Sequence, residues 1–389
     1  MGQISVPSVK DIILTDVDRL QARNAGAGNT GNHVILFGVN AGTNNTQDDI
    51  IAEGQNALAL GANDPKLAGT IAIGGQALQA LAGPTNSALA NAGMVVIGRK
   101  AANAATVGDS CVIIGDLALQ LYQGSAVTSG PNRCVVIGNE AAGAMTGVGQ
   151  FDGNVVIGFR AMRGAAGQTA VNCVVIGSQA ANQSTALLSG DVFIGTGVAP
   201  IAGQGGAACT QNVVIGQGAG AFLDAGDQNV ILGQSAGVTH ASTQSGNVVV
   251  GTAANAYGSN NVVIGQSAAN GVSGAAGTGS IMVGFGAGGT VPNGLSDLLY
   301  IGTFNANGGG TENCVIYGRM DNGNLVLGRS TQGVDRDFRG TNQPTNVVKI
   351  VNGTVGTGTN PSGGGFLYAS GGALHWFGSA GTDTVIAPA

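Results

Sequence analysis

The chain has 389 residues, of which 71 are glycine, 9% are charged and 4% are aromatic, with a formal net charge of -6. Glycine lies far above the usual ~7% and charge far below the usual ~25%, which excludes a thick globular core of large side chains and favours thin layers of small β-branched ones. No basic patch invites nucleic acid, and no apolar run approaches the ~20 residues of a membrane helix.

The start, Met1-Gly2-Gln3-Ile4-Ser5, lacks the basic and apolar regions of a secretory signal. Val6 stands where a myristoylation pattern wants Ser or Thr. Folding in the cytoplasm of the producing cell is therefore expected, with no membrane insertion and no nucleic acid among the partners. Residues 1–31 lie outside the pattern that dominates the rest. Within them, Asp11 to Leu20 places apolar residues at 13, 14, 17 and 20, a helix-like spacing. A segment there can cap the first repeat or dock the protein onto something larger, and both readings stay open.

From 32 to 330 one phrase recurs. It reads Asn-Val-Val-Ile-Gly at Asn212–Gly216 and again at Asn261–Gly265, with Ala219 and Ala268 three residues after the glycine. About 17 versions, roughly 18 residues apart, lie between Gly38 and Gly328, the mark of a repeat architecture. The three residues before each glycine read as apolar in every copy, which predicts a short strand ended by a forced turn. The alanine marks a tightly packed second site. At one strand spacing per phrase, ~4.8 Å, the repeat region would run on the order of 80 Å.

Alternation along a strand sends the first and third apolar residues one way and the middle one the other. With the first and third filling the coil, the middle column (Val136, Val156, Val175, Phe193, Val214, Val249, Val263) points outward. Such a stripe needs a cover. The simplest cover is the same column on other copies, which predicts a homo-oligomer of parallel solenoids without fixing the number of copies. Insertions at 78–92, 120–132 and 145–153 are expected as loops on one face or edge.

Beyond residue 330 the phrase fades. Val347–Val351 reads as a strand. Gly365–Ala369, Ala373–Phe377 and Thr384–Ala387 read as three short strands with glycine-rich turns. The only Trp lies here. Residues 331–389 are expected to form a small β-rich cap with a core of its own.

Candidate chemistry is thin. Cys111, Cys134, Cys173 and Cys314 sit four residues before a phrase glycine, where Asn154, Asn212, Asn229, Asn247, Asn261 and Asn324 stand in other copies. They read as free column-fillers rather than disulfides or zinc ligands, with Cys209 in a connection. Gly233-Gln234-Ser235-Ala236-Gly237 matches the nucleophile-elbow pattern but dissolves into the repeat, and Gly265-Gln266-Ser267-Ala268 nearly repeats it. His33, His240 and His375 are far apart. Gly216–Gly220 and Gly284–Gly288 mimic phosphate loops without the helix and lysine that such loops need. Asp48, Asp49 and Glu53, and Asp335 and Asp337, read as solvated loop charges rather than a glycosidase pair. Asn-x-Ser/Thr strings at Asn44, Asn182 and Asn352 carry no weight without a secretory route. No catalytic, cofactor-binding or metal-binding residue is assigned, and no cofactor is expected.

The phrase resembles the head repeat of the YadA-like trimeric adhesins, most closely at Ala57-Leu58-Ala59-Leu60-Gly61 and Thr70-Ile71-Ala72-Ile73-Gly74-Gly75-Gln76-Ala77. The resemblance implies an all-β fold, a left-handed parallel β-roll assembled as a homotrimer and used in surface adhesion. The secretory signal, stalk and anchor of those adhesins are not recognised here. The tail, from Gly364-Gly365-Phe366-Leu367-Tyr368 through Gly378–Thr382 to Val385–Ala389, is similar to the ends of phage tail-fibre and related virion proteins. Together these imply a non-enzymatic virion protein, a trimeric tail fibre or spike that attaches to the host. Its partners would be other tail or baseplate proteins and a host glycan or protein receptor. A polysaccharide-degrading tailspike, a capsid-decorating fibre and a bacterial surface adhesin are the alternatives.

Overall fold

A computed structural model describes residues 19–21, 26–28, 30–45, 47–59, 68–79, 93–103, 110–120, 123–124, 131–148, 150–164, 169–184, 187–200, 202, 208–221, 223, 226–237, 244–270, 277–288, 296–305, 311–320, 324–327, 348–350, 365–378 and 381–388. Among these the secondary structure is β throughout, with no helix. The chain divides into two compact units, Met1–Thr185 and Ala186–Ala389.

In the first unit, strand Arg19–Gln21 pairs in parallel with Val34–Phe37. A ladder of parallel three-residue strands follows: Ile51–Glu53, Ile71–Ile73, Val95–Ile97, Val112–Ile114, Val135–Ile137, Val155–Ile157 and Val174–Ile176. Each rung lies in register on the last, as in Val136 opposite both Ile113 and Val156. A second wall, Pro131–Asn132, Phe151–Asp152 and Thr169–Val171, stacks the same way and turns Phe151 and Ala170 inward. These are the rungs and walls of a parallel β-solenoid.

The second unit continues the scheme with Val192–Ile194, Val213–Ile215, Val230–Leu232, Val248–Val250, Val262–Ile264, Ile281–Val283 and Leu298–Asn305. There the chain direction reverses. Thr311–Arg319 and Asn324–Leu327 pair antiparallel, and Val348–Ile350 returns in parallel. The phrases closed by Gly318 and Gly328 thus belong to antiparallel strands, not rungs. Gly365–Ser370, Ala373–Gly378 and Asp383–Ala387 make a separate three-stranded antiparallel sheet, close to the three strands expected there.

The inside and outside of the rung are opposite to the sequence expectation. The middle residues Val136, Val156, Val175, Phe193, Val214 and Val249 are fully buried, and Val263 nearly so. The first and third residues face out, half-buried or exposed, as at Val213 and Ile215. The reason lies one residue earlier. Asn212 is buried too, two positions from Val214, and residues two apart share a face. The column before the strand therefore fixes the middle residue inside.

Two further expectations change. Ala57-Leu58-Ala59 is not a rung strand. Ala57 N–H donates to Gly54 O at 3.2 Å, and Leu58 is a buried corner residue at φ +49°. The true rung is Ile51-Ala52-Glu53-Gly54, whose third residue is charged and exposed. Of the helix-like spacing near the N-terminus only Leu20 is described, and it lies in a strand; residues 11–18 lie outside the described set.

The phrase glycine has two reasons to be glycine. At Gly138 φ is +140°, and a Cβ there would fall on the carbonyl of Gly158 in the next rung. The alanine three residues on, Ala141, closes the corner by donating its N–H to Gly138 O at 3.4 Å and is fully buried. Replacing Gly138 by Ala forces both a disfavoured backbone and a rung separation, so it should lower stability by at least about 2 kcal/mol. Thermal unfolding followed by far-ultraviolet dichroism checks this; an unchanged midpoint would refute the account of the corner.

Candidate functional site: the outward face of the strand ladder

Two apolar columns run side by side on the outside of the rungs. In the first unit they are formed by pairs such as Val112/Ile114, Val135/Ile137 and Val155/Ile157, and in the second by pairs such as Val213/Ile215, Val230/Leu232 and Val262/Ile264. Ile215 and Ile264 are 38% and 39% exposed, although each stacks on like residues above and below. Isolated exposed apolar residues are ordinary, but a contiguous two-column ribbon is not.

Behind the ribbon in the second unit stands a buried polar column. Asn212 donates from its backbone N–H and its Nδ2 to Asp191 Oδ1, at 2.9 and 3.0 Å. Asn229 donates both to Asn212 Oδ1, at 3.0 and 3.1 Å. Asn247 repeats the pair on Asn229 and Asn261 repeats it on Asn247. Ser280 N–H closes on Asn261 Oδ1 at 2.9 Å, and Leu298 N–H on Ser280 Oγ at 3.1 Å. The Nδ2 groups also reach carbonyls of the coil, as Asn229 does at Gln244 O. Each amide thus bonds across rungs, which holds the ribbon on a rigid backing. The recurrence of Asn four residues before the glycine was the sequence signal for this ladder.

Asp191 receives donors but offers none when ionised. Burial pushes its carboxyl up to about 6, against the N–H donors of Asn212 and Ser189, with Asp227 adding to the rise. In the first unit the same phrase position holds Cys111, Cys134, Asn154 and Cys173, all buried. Cys134 N–H meets Cys111 Sγ at 3.4 Å, and Cys173 N–H donates to Asn154 Oδ1 at 2.9 Å. The hydrogen bond with Cys111, then burial, pushes the Cys134 thiol up and away from reactivity. Cys209 is buried as well, in no disulfide, and its Sγ accepts from Asn212 Nδ2 at 3.2 Å. The side chain of Cys314 lies outside the described set.

Charged pairs stand before and after the ribbon strands in the first unit. Arg99 meets Asp116 at 2.6 Å, Arg133 meets Asp152 at 2.7 Å, and Arg160 and Arg163 flank Glu140 at 3.0 and 3.1 Å. The Arg160 guanidinium holds the Glu140 carboxyl below the usual carboxylate range. These pairs link neighbouring rungs but sit near solvent, where each contributes ~0–1 kcal/mol.

The remaining sequence candidates scatter. Ser235 (φ +53°) and Ser267 (φ +56°) occupy the same corner position, with their N–H groups donating to Gln217 O and Thr252 O. Gly218, Gly220, Gly286 and Gly288 are corner residues with positive φ. His33 pairs with Asp49 at 3.3 Å, Asp48 accepts the Asn32 N–H at 2.7 Å, and Glu53 faces outward. His375 meets Asp383 at 3.0 Å in the C-terminal sheet. His240, Asp335, Asp337 and Asn352 lie outside the described residues. Among the described residues no three His, Cys, Asp or Glu side chains gather as metal ligands. Comparison with known proteins returned no matching family model, no matching curated protein and no matching solved structure.

Because folding raises the proton affinity of Asp191, the folded state binds more protons than the unfolded one between pH ~4 and ~6, and stability falls as pH rises across that window. The contribution should be on the order of 2–3 kcal/mol. Asp191→Asn should flatten the slope between those limits, since the asparagine is neutral on both sides. Denaturant melts of both proteins at pH 4, 5, 6 and 7 measure it; parallel curves would count against the assignment.

Proposed function

We propose that the chain is a structural subunit of a fibre or spike. Copies assemble as a homotrimer by covering one another's outward columns, are carried on a virion tail and serve attachment to a host surface. A parallel β-solenoid is compatible with such a role. The observation that carries the reading is the uncovered ribbon of Val and Ile on a hydrogen-bonded backing. The ribbon is wider than the single stripe expected from sequence, so the need for a cover is greater. The likeness of the repeat to the adhesin heads and of the tail to fibre ends supports the number of copies and the setting. Other tail or baseplate proteins and a host glycan or protein receptor are the partners this reading requires.

Light scattering on the purified chain should give a multiple of its 37.9 kDa mass. Val230→Asp with Val248→Asp should reduce that to one chain with unchanged far-ultraviolet dichroism, because both side chains face out of the coil. A monomeric parent protein would sink the assembly. Antibody-gold labelling of particles tests the setting: label on tails supports it, and label on cell surfaces free of particles overturns it.

A further inference from the structure

None of the described side chains of the C-terminal sheet is buried. Its strands pair Leu367 with Trp376 and Trp376 with Thr384, and Tyr368 with His375 and His375 with Val385. Among the described residues no other strand pairs with it, and none of residues 367–378 and 381–388 is buried. Leu367 and Trp376 are 47% and 41% exposed on one face, and Val385 is 53% exposed on the other. A three-stranded sheet needs a covered hydrophobic face to be stable. Units below ~40 residues commonly obtain one through disulfides, metals or association. The segment 365–388 contains no cysteine.

Two observations identify the cover. First, the sheet offers a foreign partner little to recognise by charge. His375 and Asp383 are its only charged or imidazole side chains, and they bond each other, with the His375 ring stacked on Tyr368 at 5.0 Å. Second, the outward ribbon cannot align copies by itself. Its columns repeat at each rung, ~4.8 Å apart, so a copy displaced by one rung meets nearly the same surface. The terminal sheet does not repeat. Among the described residues its two outer strands, Gly365–Ser370 and Asp383–Ala387, pair with no further strand and differ from each other, so a contact between them is head to tail, which gives a ring where the rotation closes.

We infer that the sheet Gly365–Ala387 is an interface between copies of this chain: it packs against the same sheet of the other copies and sets the alignment of the assembly. The inference rests on the assembly proposed above, and its test separates the two. Trp376 is the chain's only tryptophan, so intrinsic fluorescence reports on this face alone. In the full-length protein, acrylamide quenching of Trp376 should be several-fold weaker than in the urea-unfolded chain. A benzophenone amino acid at Thr384, across from Trp376, should on irradiation give species of multiple chain mass on a denaturing gel. A uniform oligomer in which Trp376 quenches freely, or in which Thr384 cross-links only within one chain, overturns this inference and leaves the assembly standing. A monomer overturns both. Leu367→Asp adds a check: with the rungs folded by dichroism, it should release Trp376 to the quencher and broaden the mass distribution. An unchanged mass and unchanged quenching would refute the role.

Discussion

Each rung has to rest on a near copy of itself. In-register parallel stacking at ~4.8 Å places every side chain directly above the same kind of side chain, and the sequence is what survives that demand. Corners that approach the next backbone have room only for hydrogen, hence glycine at Gly115, Gly138 and Gly158. Interior places take residues that pack on themselves, hence the runs of Val and Ala. Charge is scarce because like charges would stack. Where it occurs in the first unit, opposite signs face across neighbouring rungs: Arg99 with Asp116, Arg133 with Asp152, Arg160 with Glu140.

Asparagine meets the same demand differently. Its amide carries an acceptor and two donors, so a column of asparagines can satisfy itself and still reach the coil's carbonyls. A column of carboxylates could not, and Asp191 stands where the described ladder has only to accept. The first unit fills much of the same phrase position with Met94, Cys111 and Cys134, small or pliable groups. One position in the phrase is thus solved by polarity in one unit and largely by soft packing in the other.

The class of fold was legible because glycine punctuation and three-residue apolar runs admit few other structures. The last three strands were legible for the same reason, within about a residue at each end. The facing of the rung was not. The first and third apolar residues were taken to fill the coil, whereas the parity of Asn212 and Val214 decides the matter. The terminal sheet raises a related point, since none of its described side chains is buried. Strand propensity shows that Leu367 and Trp376 are extended, but what covers them is not local information. The elbow-like string at Ser235 lies at a corner of the repeat, where Ser267 stands in another turn.

The backbone bonds that join rungs span short stretches of chain, from 13 residues between Val248 N–H and Asn261 O to 25 between Gly98 N–H and Ile73 O, where an insertion lengthens the turn. Closing each turn therefore carries about the same entropic penalty wherever it falls in the stack, because that penalty depends on the local loop and only weakly on its length. A whole turn gained or lost within a unit leaves its neighbours with the same kinds of partner. Length becomes a quantity that can change by unequal recombination between repeats without redesign of any contact, and the variable insertions can diverge over a frame that does not need to follow them.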